Sequence, residues 1–240
     1  MSSSEPRPRA PQRLALIVPA AGASARMGGD VRKPLIKLLG RPVICHALKR
    51  FQGLDGLRQV IVVAHPDDLQ SIRASYWPQL REAGATHLVA GGARRQDSVA
   101  CGVAALDPDI DVVLIHDAVR PFVSRRAIDE SIAKAVQHGA AIVALPVTDT
   151  VKRAHGETAV ETVPRDALWA AQTPQVFRKK LIQSALDAAL SDGFECTDDA
   201  QLVERLGAEV KLVRGSHENF KITTPEHLRM AEALLARQRT

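Results

Sequence analysis

Apolar residues in this chain gather into short runs, separated by longer stretches in which they recur every three or four positions. The runs Leu14–Val18, Val60–Ala64, His87–Ala90, Val112–His116 and Ala141–Pro146 read as strands, and Val43–Phe51, Asp67–Glu82, Gln96–Leu106 and Ser124–His138 read as helices. This alternation predicts an α/β three-layer sandwich, with a mostly parallel, Rossmann-like central sheet between helical layers. The rhythm breaks after Pro146, where two polar, β-rich segments flank a turn at His155-Gly156-Glu157. They predict a protruding β-hairpin arm over about residues 147–168. An isolated two-stranded hairpin is marginal in water, so the arm is expected to lean on the domain or on a partner chain. Helices are then predicted near Arg178–Leu190 and Asp198–Leu206, a strand at Glu209–Val213, and a final helix over Pro225–Arg237. Thr224 is the expected N-cap of that helix and Pro225 its first residue. Trp169 is expected in the core, with Thr173 and Gln175 at a turn near the site.

Length and charge narrow the classes. The 240 residues, 45% of them apolar and 25% charged, suit one globular domain over 14–238, preceded by a disordered Ser-, Pro- and Arg-rich extension at 1–13. No apolar run approaches the roughly 18 residues of a membrane-spanning helix, so no membrane partner is expected. The net charge is +5; Arg7, Arg9 and Arg13 against Glu5 put +2 of it in the extension and leave +3 on the rest. With only five Phe, two Trp and one Tyr there is no stacking platform either, so nucleic acid is not an expected partner and basic clusters better suit a small anionic ligand. Cys45, Cys101 and Cys196 are far apart and form no CxxC motif, which speaks for a reducing, cytoplasmic setting. His46, His65, His87, His138, His155, His217 and His227 show no paired spacing and read as structural or exposed.

Candidate chemistry sits where strands end. The first strand runs into Pro19-Ala20-Ala21-Gly22-Ala23-Ser24-Ala25-Arg26-Met27-Gly28-Gly29, followed by Lys33. Such a small-residue loop lets backbone N–H groups approach a phosphate, although it matches neither the Walker A nor the GxGxxG pattern. Small residues alone could mark a tight turn; Arg26 and Lys33 around the same loop favour phosphate. Gly91 to Ser98 joins a strand to a helix, where Asp97 or Ser98 could simply cap the helix. Asp117 ends an apolar strand, as a cap or as an oxygen ligand for a divalent cation shared with phosphates. Lys221 precedes the last helix, a place where a lysine is usually a surface charge.

The loop with Arg26 and Lys33 resembles the N-terminal signature of nucleotidyltransferases that load a sugar or polyol phosphate onto a nucleotide. More closely, the chain resembles the 2-C-methyl-D-erythritol 4-phosphate cytidylyltransferase family of the non-mevalonate isoprenoid pathway. The likeness runs in order from about residue 14 to 235: Gly91-Gly92 with Asp97-Ser98-Val99, HDAVRPF at 116–122, TDTVKR at 148–153, PRDALWAAQTPQVF at 164–177, TDDA at 197–200 and NFKITTPEHL at 219–228.

The resemblance implies cytidylyl transfer from CTP to a polyol phosphate with a Mg²⁺ cofactor. It implies that Ala20, Ala21, Gly22, Gly92, Ser98 and Asp117 bind CTP, with Gly92 and Ser98 reading cytosine and Asp117 also holding the metal. Arg26 and Lys33 would stabilise charge on the α-phosphate. Asp117, Arg120, Thr150, Arg165, Thr173 and Lys221 would contact the second substrate, Arg165 and Lys221 aiming its phosphate. Thr150 and Arg165 would do so in a neighbour's site, with the arm embracing a second subunit in a homodimer. Two departures stand out: the family commonly has an acidic residue near Ala93 or Arg94, and Glu218 stands where relatives usually have Asp, next to the metal region. A ribitol 5-phosphate cytidylyltransferase, or a non-catalytic nucleotide-binding protein of the same fold, is the alternative.

Overall fold

A strand buried on both faces reads as a continuous apolar run, and Leu14–Val18 and Val112–Ile115 are such strands. The computed structural model describes residues 12–22 and 32–237. Arg26 and most of the 1–13 extension lie outside these residues; Arg13 lies inside them, and its backbone N–H donates to Asp111 Oδ2 at 3.0 Å.

The elements follow in the order β1 (Leu14–Pro19), β2 (Lys37–Leu38), β3 (Arg41–Pro42), α1 (Val43–Lys49), β4 (Leu57–Ala64), α2 (Leu69–Ser75), α3 (Trp77–Glu82), β5 (His87–Ala90), α4 (Arg95–Ala104) and β6 (Val112–Ile115). After these come α5 (Arg125–His138), β7 (Ala140–Pro146), β8 (Val151–His155), β9 (Thr158–Val163), β10 (Trp169–Arg178), α6 (Lys179–Ser191), α7 (Asp199–Arg205), β11 (Lys211–Arg214) and α8 (Pro225–Arg237). Among the described residues, seven strands form one sheet in the order β11-β7-β10-β6-β1-β4-β5. Its neighbours are parallel except β10, which runs antiparallel to both β6 and β7. Strand alternation sorts the core into two layers. Leu14, Leu16 and Val18 face α1, α2, α3 and α5, and Ala15 and Ile17 face α4, α6 and α7. A third cluster ties Ile222 and α8 to Val119 and Phe122.

The mostly parallel sandwich is therefore as the sequence predicts, and the differences have local causes. The helix expected over Asp67–Glu82 is broken at Tyr76 into α2 and α3, because Pro78 has no N–H to donate to Ala74 C=O and its ring would clash with that carbonyl in a continuous helix, whereas it is tolerated in the first turn of α3. Trp169 is 39% exposed rather than in the core, since it opens β10 at the base of the hairpin. Thr173 and Gln175 are not at a turn: both lie buried within β10, where the pairing to β7 is interrupted between Ala171 and Gln175. Pro174 is what made that stretch look like a loop. The hairpin of β8 and β9 turns at Gly156, and its base is closed by Val147 N–H donating to Leu168 C=O at 3.0 Å. Both of its strands are largely exposed.

At Gly102, α4 packs closely on β1 beside the site. A Cβ there would lie 2.6 Å from Ile17 Cγ2, so Gly102→Val should cost about 1–3 kcal/mol. Urea unfolding should show a lower midpoint at unchanged m-value; an unchanged midpoint would contradict this packing.

Candidate active site

In an open α/β sheet, ligands bind outside the carboxyl ends of the strands, where the strand order reverses. Here that place is between β1 and β6, since the chain leaves β1 for β4 and β5 and returns to β6 on the other side. A cavity of about 180 Å³ opens there. Pro19, Ala20 and Gly22 from the end of β1, Lys33 from the turn after the loop, Ser98 from α4 and Asp117 beyond β6 line it. A second cavity of about 270 Å³ adjoins it along β10, with Thr173, Gln175 and Asp198 in its wall. Arg95, Asp117 and Lys221 line both.

Asp117 is the centre of the charge arrangement. It is 7% exposed and meets three cations: Arg120 Nε and Lys221 Nζ lie 3.2 and 3.3 Å from Oδ2, and Arg95 Nε lies 3.5 Å from Oδ1. Burial alone would raise its pKa, but Arg95, Lys221 and Arg120 together outweigh that and hold the carboxyl well below the usual range. Each cation comes from a different segment. Arg95 opens α4, Arg120 follows β6, and Lys221 lies in the loop that Ile222 N–H fixes to Val119 C=O at 2.9 Å.

His116, next to it, points to the other face of the sheet. Its ring is fully buried against Phe51, with ring centroids 4.9 Å apart. Nε2 is 2.9 Å from Arg120 C=O, which can only accept, so Nε2 carries the proton. Nδ1 therefore accepts from the Thr173 hydroxyl at 3.0 Å, and Thr173 Oγ1 accepts the Asp117 N–H at 3.1 Å. This chain locks the backbone of Asp117 to β10. Asn219 completes the frame: its Nδ2 donates to Thr173 C=O at 2.9 Å and to Gln172 Oε1 at 3.0 Å, and its own C=O accepts from Arg120 at 2.8 Å.

The sequence-nominated residues thus fall into groups. Ala20, Gly22, Lys33, Ser98, Asp117 and Lys221 converge on the first cavity. Ala21 is buried just behind it, in contact range of Gly91. Gly92 presents its C=O to the Ser98 hydroxyl at 3.4 Å, and that hydroxyl is 3.1 Å from Arg94 C=O. Arg120 and Thr173 line the second cavity. Thr150 and Arg165 are exposed on the arm and line neither cavity, and Arg165 donates to Thr148 C=O. Glu218 is exposed and lines a separate groove beside α8. At the start of α4, Asp97 accepts from the Arg94 N–H at 3.1 Å, the capping role anticipated for it, and Arg94 also pairs with Glu195.

Arg95, His116, Asp199 and Asn219 also belong to the site, although neither spacing nor motif role singles them out in the sequence. Asp199 is wholly buried, 2.8 Å from Arg95 Nη2, and burial raises its pKa. A signal existed for it, since an Asp placed among the inward-facing residues of a short helix needs a buried cation.

The open, mostly parallel sheet and the cationic cavity at its reversal point, lined by Ala20 and Gly22 where β1 ends, define an α/β nucleotidyltransferase. The family model "IspD: 2-C-methyl-D-erythritol 4-phosphate cytidylyltransferase" matches residues 14–237. The chain belongs to this family. A relative from Halalkalibacterium halodurans, named 2-C-methyl-D-erythritol 4-phosphate cytidylyltransferase, is 42% identical over 221 residues, 92% of this chain and 96% of that protein. The crystal structure of 4-diphosphocytidyl-2C-methyl-D-erythritol synthase from Anaerococcus prevotii superposes with a TM-score of 0.80 at 34% identity, covering 94% of this chain and 97% of that one. The Thermus thermophilus 2-C-methyl-D-erythritol 4-phosphate cytidylyltransferase structure gives 0.75 at 35% identity, covering 92% and 98%.

Buried neutral His116 makes a pH prediction. Burial pushes its pKa down from 6.5 to about 4, against the raising effects of the Arg120 carbonyl and Asp117. The unfolded chain therefore takes up a proton between these values that the folded chain refuses. Its contribution is fully present above about pH 6.5 and is lost as pH falls towards 4, by up to about 3 kcal/mol. Asp117, with its depressed pKa, loses its own contribution only below about pH 4. In urea titrations from pH 7 to 4.5, His116→Gln should lose less stability than the native chain; parallel losses would contradict the assignment.

Proposed function

We propose that this protein transfers a cytidylyl group from CTP to 2-C-methyl-D-erythritol 4-phosphate, releasing pyrophosphate and giving 4-diphosphocytidyl-2-C-methyl-D-erythritol, in non-mevalonate isoprenoid biosynthesis. The observation that carries this reading is Asp117, ringed by Arg95, Arg120 and Lys221 at the wall between two adjoining cavities. The first cavity, floored by Ala20 and Gly22, suits the nucleotide, and the second, along β10, suits the polyol phosphate. The names of the relatives agree with it.

An oxygen of the substrate phosphate attacks the α-phosphorus in line while pyrophosphate leaves opposite. A phosphate monoester has its second pKa near about 6, so the nucleophile is already anionic and needs no general base. What remains is positioning and the stabilisation of charge. Lys33, with Arg26, stabilises charge on the α-phosphate. Lys221 aims the incoming phosphate from the edge of the same cavity. Thr150 and Arg165 line neither cavity of their own chain, which supports a homodimer in which the arm reaches a neighbour's site. Arginine suits that task because its planar fork holds a phosphate through two parallel hydrogen bonds.

Mg²⁺ fits this donor set in one way. Among the described residues no group of three or more His, Cys, Asp or Glu could hold a metal, so the ion would be held by Asp117 together with triphosphate oxygens, as magnesium commonly is. When bound it would neutralise part of the triphosphate charge. No helix among the described residues is long and apolar enough to cross a membrane. The three free, widely separated cysteines suit a reducing, cytoplasmic setting.

Pyrophosphate release with CTP, Mg²⁺ and either methylerythritol phosphate or ribitol 5-phosphate tests the reading. Turnover with methylerythritol phosphate is expected; preference for ribitol phosphate would move the protein to the sibling activity, and no turnover would overturn the catalytic reading. Lys33→Ala should lower kcat by about 10²–10³ with little change in thermal stability. Arg165→Ala should instead raise KM for the polyol phosphate and leave that for CTP near its native value.

A further inference from the structure

The two oxygens of Asp117 are unequally engaged. Oδ2 receives both Arg120 and Lys221, whereas Oδ1 has Arg95 Nε at 3.5 Å, beyond a good hydrogen bond. Arg95 stands off because its guanidinium is drawn the other way, to Asp199 Oδ2 at 2.8 Å. Asp199 is 0% exposed and cannot meet a substrate, and among the described residues its carboxylate oxygens have no other partner than Arg95. Its backbone is pinned: the N–H groups of Asp199 and Ala200 donate to Gln175 Oε1 at 3.0 and 3.1 Å, and Gln175 Nε2 donates to Asp198 Oδ2 at 2.8 Å. Gln175 lies on β10, the strand that also holds Asp117 through Thr173. One strand therefore fixes both carboxylates that compete for Arg95.

We propose that Asp199 is a positioning residue that holds Arg95 away from Asp117 Oδ1 and so keeps that oxygen available to the divalent cation carried by the nucleotide. Without the charge of Asp199, Arg95 would close on Asp117 as a two-pronged arginine–carboxylate pair, and the metal would have to displace it. The inference rests on the reading of Asp117 as the carboxylate that meets the metal–nucleotide complex.

The test is calorimetric binding of α,β-methylene CTP, which cannot react, with and without Mn²⁺. The native protein should bind the Mn²⁺ complex more tightly than the free analogue. In Asp199→Asn this preference should fall about 10–100-fold, the range seen when a residue supporting a metal ligand is lost. In the Arg95→Gln, Asp199→Asn double variant, which removes both buried charges, the preference should return to within a few-fold of native. A native protein without any preference would sink the reading of Asp117 itself. A native preference left unchanged in folded Asp199→Asn would overturn only the role of Asp199. If Asp199→Asn does not fold, Asp199→Ser takes its place: a preference reduced about 10–100-fold supports the proposal, and a native preference overturns it.

Discussion

A carboxylate taken out of water must be paired, and the structure around Asp117 is built to that requirement. Desolvation of one charge costs several kcal/mol unless opposite charges and hydrogen bonds offset it. Three cations meet that need from three segments: Arg120 from the same turn after β6 as Asp117, Arg95 from α4 and Lys221 from the loop before α8. Bringing them together fixes the relative positions of those segments. The same requirement recurs one step out, where Arg95 is itself balanced by buried Asp199.

The fold supplies this convergence cheaply because the sheet is doubly covered. Apolar side chains on both faces of β1 and β6 settle the strands, and the polar residues are left to the loops at their carboxyl ends. Alternation then divides adjacent residues between tasks. His116 turns into the layer of Phe51 as a neutral, fully hydrogen-bonded ring, and Asp117 turns towards α4 and the cavity. β10 is the exception in an otherwise parallel sheet, and its Gln172, Thr173 and Gln175 anchor the segments that carry Asn219, Asp117 and Asp199.

What could be read from the sequence follows from how far each signal reaches along the chain. Period and punctuation are local, so the alternation of strand and helix, the hairpin turn and the N-cap of α8 were all visible. β10 was not, because Pro174 interrupts an extended run and its pairing partners lie far away in sequence. The motifs likewise nominated Lys33, Ser98, Asp117 and Lys221, which meet at one cavity. Arg95 and Asp199 stood within quoted motifs but carried no sign of their pairing, since 104 positions separate them and only the folded sheet brings them together.

The most direct test of the account is the turnover of Asp117→Asn, which keeps the shape of the side chain and removes its charge. Circular dichroism and thermal melting would establish that the variant is folded, and pyrophosphate release would measure its rate. The account predicts a folded protein whose kcat falls by at least about 10²-fold, in line with the loss of a preorganised electrostatic group. A folded Asp117→Asn variant with near-native turnover would contradict the claim that this carboxylate organises the site.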